Sequence, residues 1–173
     1  LKLHARKNHR HRIEHCSVLN PKLMKHMKWL GLVASVQPHF IVSDFWVVER
    51  LGKDRARWAY PLKTLMKEGL LVASGSDCPV EPISPILGIW AAVARKNFAE
   101  ESLSVEEALK TYTINAAYAS FDEDKKGTIE TGKLADITIL SGNPFKVQKD
   151  NVKNIKIQMT IVDGKIAYVS KSF

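Results

Sequence analysis

Two side chains suited to hydrolytic chemistry stand in this chain where buried strands should end. Asp77 lies in Ala73-Ser74-Gly75-Ser76-Asp77-Cys78-Pro79, directly after the apolar run Gly69-Leu70-Leu71-Val72. His15 closes Arg12-Ile13-Glu14-His15 and is followed by Cys16. A neutral imidazole can bind a divalent metal, and a carboxylate can bind one or take a proton from an attacking water. Parallel α/β proteins carry such groups in loops at the carboxyl ends of their strands. Each residue alone also has a plainer reading: a histidine satisfied in the core, and a turn aspartate bonded to its local backbone. His39, in Gln37-Pro38-His39, ends the run over residues 32–36, so a third strand end is polar. It suits either a contact to substrate or an oxyanion, or a buried structural histidine.

Other reactive types have weaker contexts. His9 and His11 could bind one metal from the same face of a strand. No apolar strand precedes them, only Arg6-Lys7-Asn8, and they read as surface residues. Cys78 has no activating base nearby in the sequence, so packing suits it better than nucleophilic catalysis.

The elements that must position these groups follow from periodicity and turn residues. Residues 2–11 read as the end of a helix and residues 12–15 as a short strand. Asn20-Pro21 supplies a cap and first-turn proline for a helix carrying Leu23, Met24, Met27 and Leu30, which Gly31 stops. A strand over 32–36 leads into a long connection rich in aromatics. A helix over 60–68 then precedes a strand over 70–73. Three strand–loop–helix units in succession imply parallel pairing and right-handed crossovers. Helices are expected over 85–97, over 105–112 with a Ser104/Glu107 capping box, and over 113–120. From Gly127 the pattern changes to short strands over 136–140, 155–162 and 165–169, with Asp163-Gly164 as a hairpin turn. The expected division is residues 1–125 and 126–173.

The 173 residues are 45% hydrophobic, enough for one domain with a core, and no run approaches the length needed to span a bilayer. The net charge is +8, and residues 1–30 hold eight cationic side chains against Glu14 alone. Aromatic residues are not interleaved with these cations, which argues against a single-strand nucleic-acid platform. Two cysteines make no disulfide framework and fit a reducing cytoplasm. A start at Leu1, without an apolar signal sequence, suggests a fragment or processed product.

Four pieces, in order, carry a resemblance: Arg12-Ile13-Glu14-His15, Gln37-Pro38-His39, Gly75-Ser76-Asp77-Cys78-Pro79, and Gly127-Thr128-Ile129-Glu130-Thr131-Gly132-Lys133-Leu134-Ala135-Asp136. Together with Thr113-Ile114-Asn115-Ala116-Ala117 and Val162-Asp163-Gly164-Lys165, they resemble the carboxy-terminal part of the amidohydrolase superfamily, in its amidohydrolase-3 branch of metal-dependent hydrolases. The resemblance covers nearly the whole chain. It implies an α/β fold made of the last three βα units of a TIM-type (β/α)8 barrel plus part of a small flanking β-sandwich. It makes His15 a metal ligand at the sixth strand, His39 a substrate contact at the seventh, and Asp77 the metal-associated catalytic base at the eighth. The Gly127–Asp136 stretch would be structural. The implied reaction is hydrolysis of a non-peptide carbon–nitrogen bond of a small amide-like substrate by metal-activated water, with zinc as the expected divalent metal.

The first-strand histidine–x–histidine pair, the bridging residue of the middle strands and the fifth-strand histidine of that family are absent from this sequence. Three strands cannot close a barrel. The isolated chain is therefore expected to be inactive and to hold zinc weakly or not at all, with the rest of the barrel, another polypeptide or a second copy completing it. The alternative is a non-catalytic regulatory or binding module using the basic N-terminal segment.

Overall fold

A computed structural model of the chain describes residues 6–171. Its first half is built on three short parallel strands, β1 (Arg12–Glu14), β2 (Val33–Val36) and β3 (Val72–Ser74), in the order β1-β2-β3. The register pairs Glu14 with Ser35 and Ser35 with Ala73, so the carboxyl ends of all three strands lie along one edge. Parallel neighbours need crossovers, and each is helical. Helix α1 (Pro21–Trp29) joins β1 to β2. Between β2 and β3 run three short helices, α2 (Phe40–Ser43), α3 (Val47–Leu51) and α4 (Lys53–Ala56), and then α5 (Leu62–Lys67).

Helices α6 (Pro85–Val93), α7 (Val105–Tyr112) and α8 (Ile114–Ala119) follow β3. The Asn20 side chain accepts from the Leu23 amide at 3.0 Å, so α1 starts where the cap residue and proline predict. Ser104 and Glu107 form the reciprocal capping box, at 3.1 and 2.8 Å, that opens α7. The second sheet, antiparallel in the order β4-β5-β6, consists of β4 (Ile137–Leu140), β5 (Ile157–Val162) and β6 (Lys165–Val169). Asp163 and Gly164 both take positive φ in the β5–β6 turn, as a tight hairpin requires.

One main core collects Met24 and Met27 of α1, Ala34, Val36 and Val72 of the sheet, Leu62 and Leu65 of α5, and Ile86 and Ile89 of α6. Val152 and Ile155, which lie between β4 and β5, belong to the same cluster. Along β2, Ala34 and Val36 enter this core, while Ser35 on the opposite face bonds to Glu14. Period-2 alternation puts those two residues on one side of the sheet. Gly127, at φ 96°, lets the chain leaving α8 lie against it. A Cβ there would stand 2.9 Å from both Ala117 Cβ and Ile114 Cα.

Several element ends differ from expectation. Residues 6–11 are not helical: Asn8 and Arg10 take φ of 51° and 47°, which breaks a helix, and residues 2–5 of that expected helix lie outside the described residues. Helix α6 ends at Val93 rather than 97, where buried Arg95 turns back to donate to the carbonyls of Asn97, Tyr60 and Ala59. The long connection after β2 is largely helical, in turns too short to show a 3.6-residue period. Among the described residues no helix is long and apolar enough to cross a membrane.

Candidate functional site

The three chemistry-bearing residues follow the ends of the three strands. His15 comes directly after β1, His39 three residues after β2, and Asp77 three residues after β3. Strand order therefore puts His39 on the loop between the other two. With parallel strands about 4.8 Å apart, β1 and β3 are separated by about 10 Å. The left-handed backbone at His15 (φ 67°), Cys16 (φ 50°) and Asp77 (φ 63°) turns the chain away from the strand direction at both outer ends. Non-glycine residues adopt this region uncommonly, and such residues cluster at functional sites.

An aromatic stack backs His15. Its ring meets Phe40 edge-on at 6.2 Å between centroids, and Phe40 stacks on Tyr60 at 6.4 Å. The Tyr60 hydroxyl donates to Asp44. Burial and the Asp44 carboxylate push the Tyr60 phenol well above its ordinary value, so it stays a neutral donor. Beneath this stack the chain after β1 pairs with the chain before α5: Tyr60 N–H donates to Ser17 O at 2.8 Å, and Leu19 N–H to Trp58 O at 3.1 Å. The Arg95 guanidinium clamps the same stretch through the carbonyls of Tyr60 (2.5 Å) and Ala59 (3.0 Å).

His39 is not a lone histidine. Its Nδ1 bonds to Glu81, whose other oxygen accepts from the Ser43 hydroxyl at 2.6 Å. Glu81 is 8% exposed between exposed Val80 and Pro82, a buried acid inside a proline-rich loop. Periodicity could not reveal it; the one sequence signal was a carboxylate four residues beyond Asp77. Asn115 is a second such residue. Its side-chain amide donates to Val72 O at 2.9 Å and ties α8 to β3. Tyr112 reaches from α7 to Gly75 O at 3.4 Å, directly before the Asp77 loop.

The Asp77 carbonyl accepts from the Val80 amide at 2.8 Å, which closes the loop on itself. Cys78 is exposed, so it does not pack as expected, because the loop carries it outward; Cys16 is the buried thiol. Glu14 sits beside Ser35 (2.5 Å) and Arg12 (2.5 Å). Burial opposes its ionisation, but these two donors outweigh it and hold the carboxyl below its ordinary value. His9 is half-buried rather than a free surface residue, bonding Leu30 O at 2.9 Å and stacking on His11. The basic segment is partly neutralised within the fold, since Arg10 forks onto Glu123 and lies over Tyr118 and Phe121.

A hydrolytic zinc takes about three protein ligands and keeps one position open. The described residues contain no group of three or more His, Cys, Asp or Glu placed to hold a metal ion. His15 and Asp77 are suitable donor types on separate strands, but by themselves the described residues do not fit a resident catalytic metal.

Residues 2–168 match the Amidohydrolase family. The chain is 42% identical over 176 residues to the putative amidohydrolase YtcJ of Bacillus subtilis, covering 95% of this chain and 33% of that protein. It is 30% identical over 165 residues to the N-substituted formamide deformylase of Arthrobacter pascens, covering 91% of this chain and 30% of that protein. The fold is similar to that of an uncharacterized metal-dependent hydrolase from Pyrococcus furiosus, with a TM-score of 0.72 and 43% identity over 78% of this chain and 29% of that one. A counterpart from Pyrococcus horikoshii gives a TM-score of 0.73 and 36% identity over 82% of this chain and 31% of that one. The chain thus spans about a third of the length of the relatives it matches. On this match across nearly its full length, the chain belongs to the Amidohydrolase family.

Proposed function

We propose that this chain forms the last three βα units of a (β/α)8 hydrolase and part of its flanking β-sandwich, divided near residue 125. In that reading the complete enzyme splits a non-peptide carbon–nitrogen bond of a small amide-like substrate. The observation that carries it is the row of His15, His39 and Asp77 after the ends of three adjacent parallel strands, where α/β enzymes place their chemistry. A relative described as an N-substituted formamide deformylase supports the bond type.

Asp77 is the base: its carboxylate takes a proton from water as the water oxygen adds to the substrate carbonyl carbon. When the carbon–nitrogen bond breaks, the same proton passes to the departing nitrogen, which leaves as an amine. His39 touches the substrate. His15 is a metal ligand whose companions, for a zinc or similar divalent ion, come from strands beyond the described ones.

The test uses the purified chain, zinc and a small formamide. The expected result is weak, substoichiometric zinc binding and no turnover. In the complete enzyme, Asp77→Asn should lower kcat by about 10²- to 10⁴-fold, the range for loss of a positioned acid–base group. Tight stoichiometric zinc in the isolated chain, with turnover abolished by Asp77→Asn, would overturn the division of the site between this chain and further strands. Steeply salt-dependent binding of a polyanion would instead favour a binding module based on the basic first 30 residues.

A further inference from the structure

We propose that Glu81 is a positioning residue that sets the tautomer of His39 and so fixes which ring nitrogen is offered to substrate. The inference rests on the reading of His39 as a substrate contact. Both oxygens of Glu81 are engaged, one by His39 Nδ1 and the other by the Ser43 hydroxyl at 2.6 Å. His39 and Ser43 belong to the segment after β2 and Glu81 to the loop after β3, so the contact also joins the two loops that carry His39 and Asp77.

An ionised carboxylate can only accept, so the ring nitrogen facing it must carry a hydrogen. A neutral imidazole has one N–H. With that hydrogen on Nδ1, Nε2 keeps a lone pair and becomes an acceptor, suited to an N–H or O–H group of an amide-like substrate. The Ser43 bond occupies the second oxygen and holds the carboxylate plane, while the neighbouring Asp44 is anchored by Tyr60. The His39 side chain is 18% exposed and that of Glu81 8%, so the pair is shielded from water while the ring keeps an accessible portion.

The chain in hand suffices for the test. Long-range ¹H–¹⁵N correlation, recorded at a pH high enough that the imidazole shifts no longer change with pH, reads each tautomer directly. His39 should show hydrogen on Nδ1 and a bare Nε2. Glu81→Leu, which removes the acceptor, should shift the hydrogen to Nε2. Ser43→Ala, which leaves the oxygen facing His39 in place, should not. A role of Glu81 in stability alone would lower the unfolding midpoint without moving the tautomer.

Hydrogen on Nε2 in the unsubstituted chain, which needs no variant to fold, would overturn the proposal. So would Nδ1–H persisting in Glu81→Leu. Should the tautomer behave as expected while the complete enzyme hydrolyses no carbon–nitrogen bond, the positioning of His39 stands and the hydrolase reading falls.

Discussion

At the scale of single residues, the two cysteines show how far neighbours can differ in environment beside one site. Cys16 is 4% exposed, and its thiol lies 3.2 Å from Ile13 O. Burial, with the adjacent Glu14 carboxylate, pushes this thiol up to about 11. Cys78 stands exposed beside Asp77. At pH 8, iodoacetamide should therefore modify Cys78 quickly and Cys16 only as fast as the fold opens, with mass spectrometry of timed digests as the readout. The sign for stability follows from the raised folded value. The unfolded thiol loses its proton near about 8.5, so the contribution of Cys16 is complete below that pH and is lost as pH rises toward about 11. Cys16→Ala should flatten that alkaline decline in denaturation midpoints. Equal alkylation rates for both thiols would contradict this account.

At the scale of elements, the packing of α6 against α7 controls how the Asp77 loop is held. Gly88 lies on α6 where the Tyr112 side chain passes on its way to Gly75 O. A Cβ at Gly88 would fall 1.8 Å from the Tyr112 hydroxyl oxygen and 2.8 Å from Cζ. Tyr112 is partly buried, and its desolvation raises the phenol above the ordinary value and keeps it a neutral donor. Gly88→Ala should then cost about 1–3 kcal/mol, the range for overpacking a filled site, as read from urea unfolding. Tyr112→Phe combined with Gly88→Ala should recover part of that loss, because it removes the clashing atom. An unchanged midpoint in Gly88→Ala would show that Tyr112 can move aside freely.

At the scale of the whole molecule, the chain exposes surface that closed folds cover. Among the described residues strand β1 pairs with β2 alone, and all three residues of β1 are exposed. Phe45, Val80 and Ile83 stand 80%, 70% and 73% exposed on the loops after β2 and β3, and every residue of β6 is exposed. Open edges and apolar patches promote association. Sedimentation over a rising concentration series should therefore show self-association of the purified chain. A monomer across the whole series would count against it.

The elements were legible wherever one residue signals a boundary. Asn20-Pro21, the Ser104/Glu107 box and Asp163-Gly164 all do what their local chemistry dictates, and β2 and β3 follow from apolar runs separated by helical spacers. His39 and Asp77 could be singled out because each follows such a run, and His15 because it closes Arg12-Ile13-Glu14. Boundaries without a signal drifted, as where residues 6–11 form a turn and α6 stops at Val93. Local signals thus specify the order of strands and helices and the residue types beyond each strand end, because those depend on neighbours within a turn or two. Packing across the fold brings Glu81, held by Ser43, to His39 across two loops, has Asn115 hold β3, and leaves Cys78 facing outward while Cys16 is buried. Those contacts join residues tens of positions apart, and nothing in local periodicity encodes which side chains a packed fold brings together.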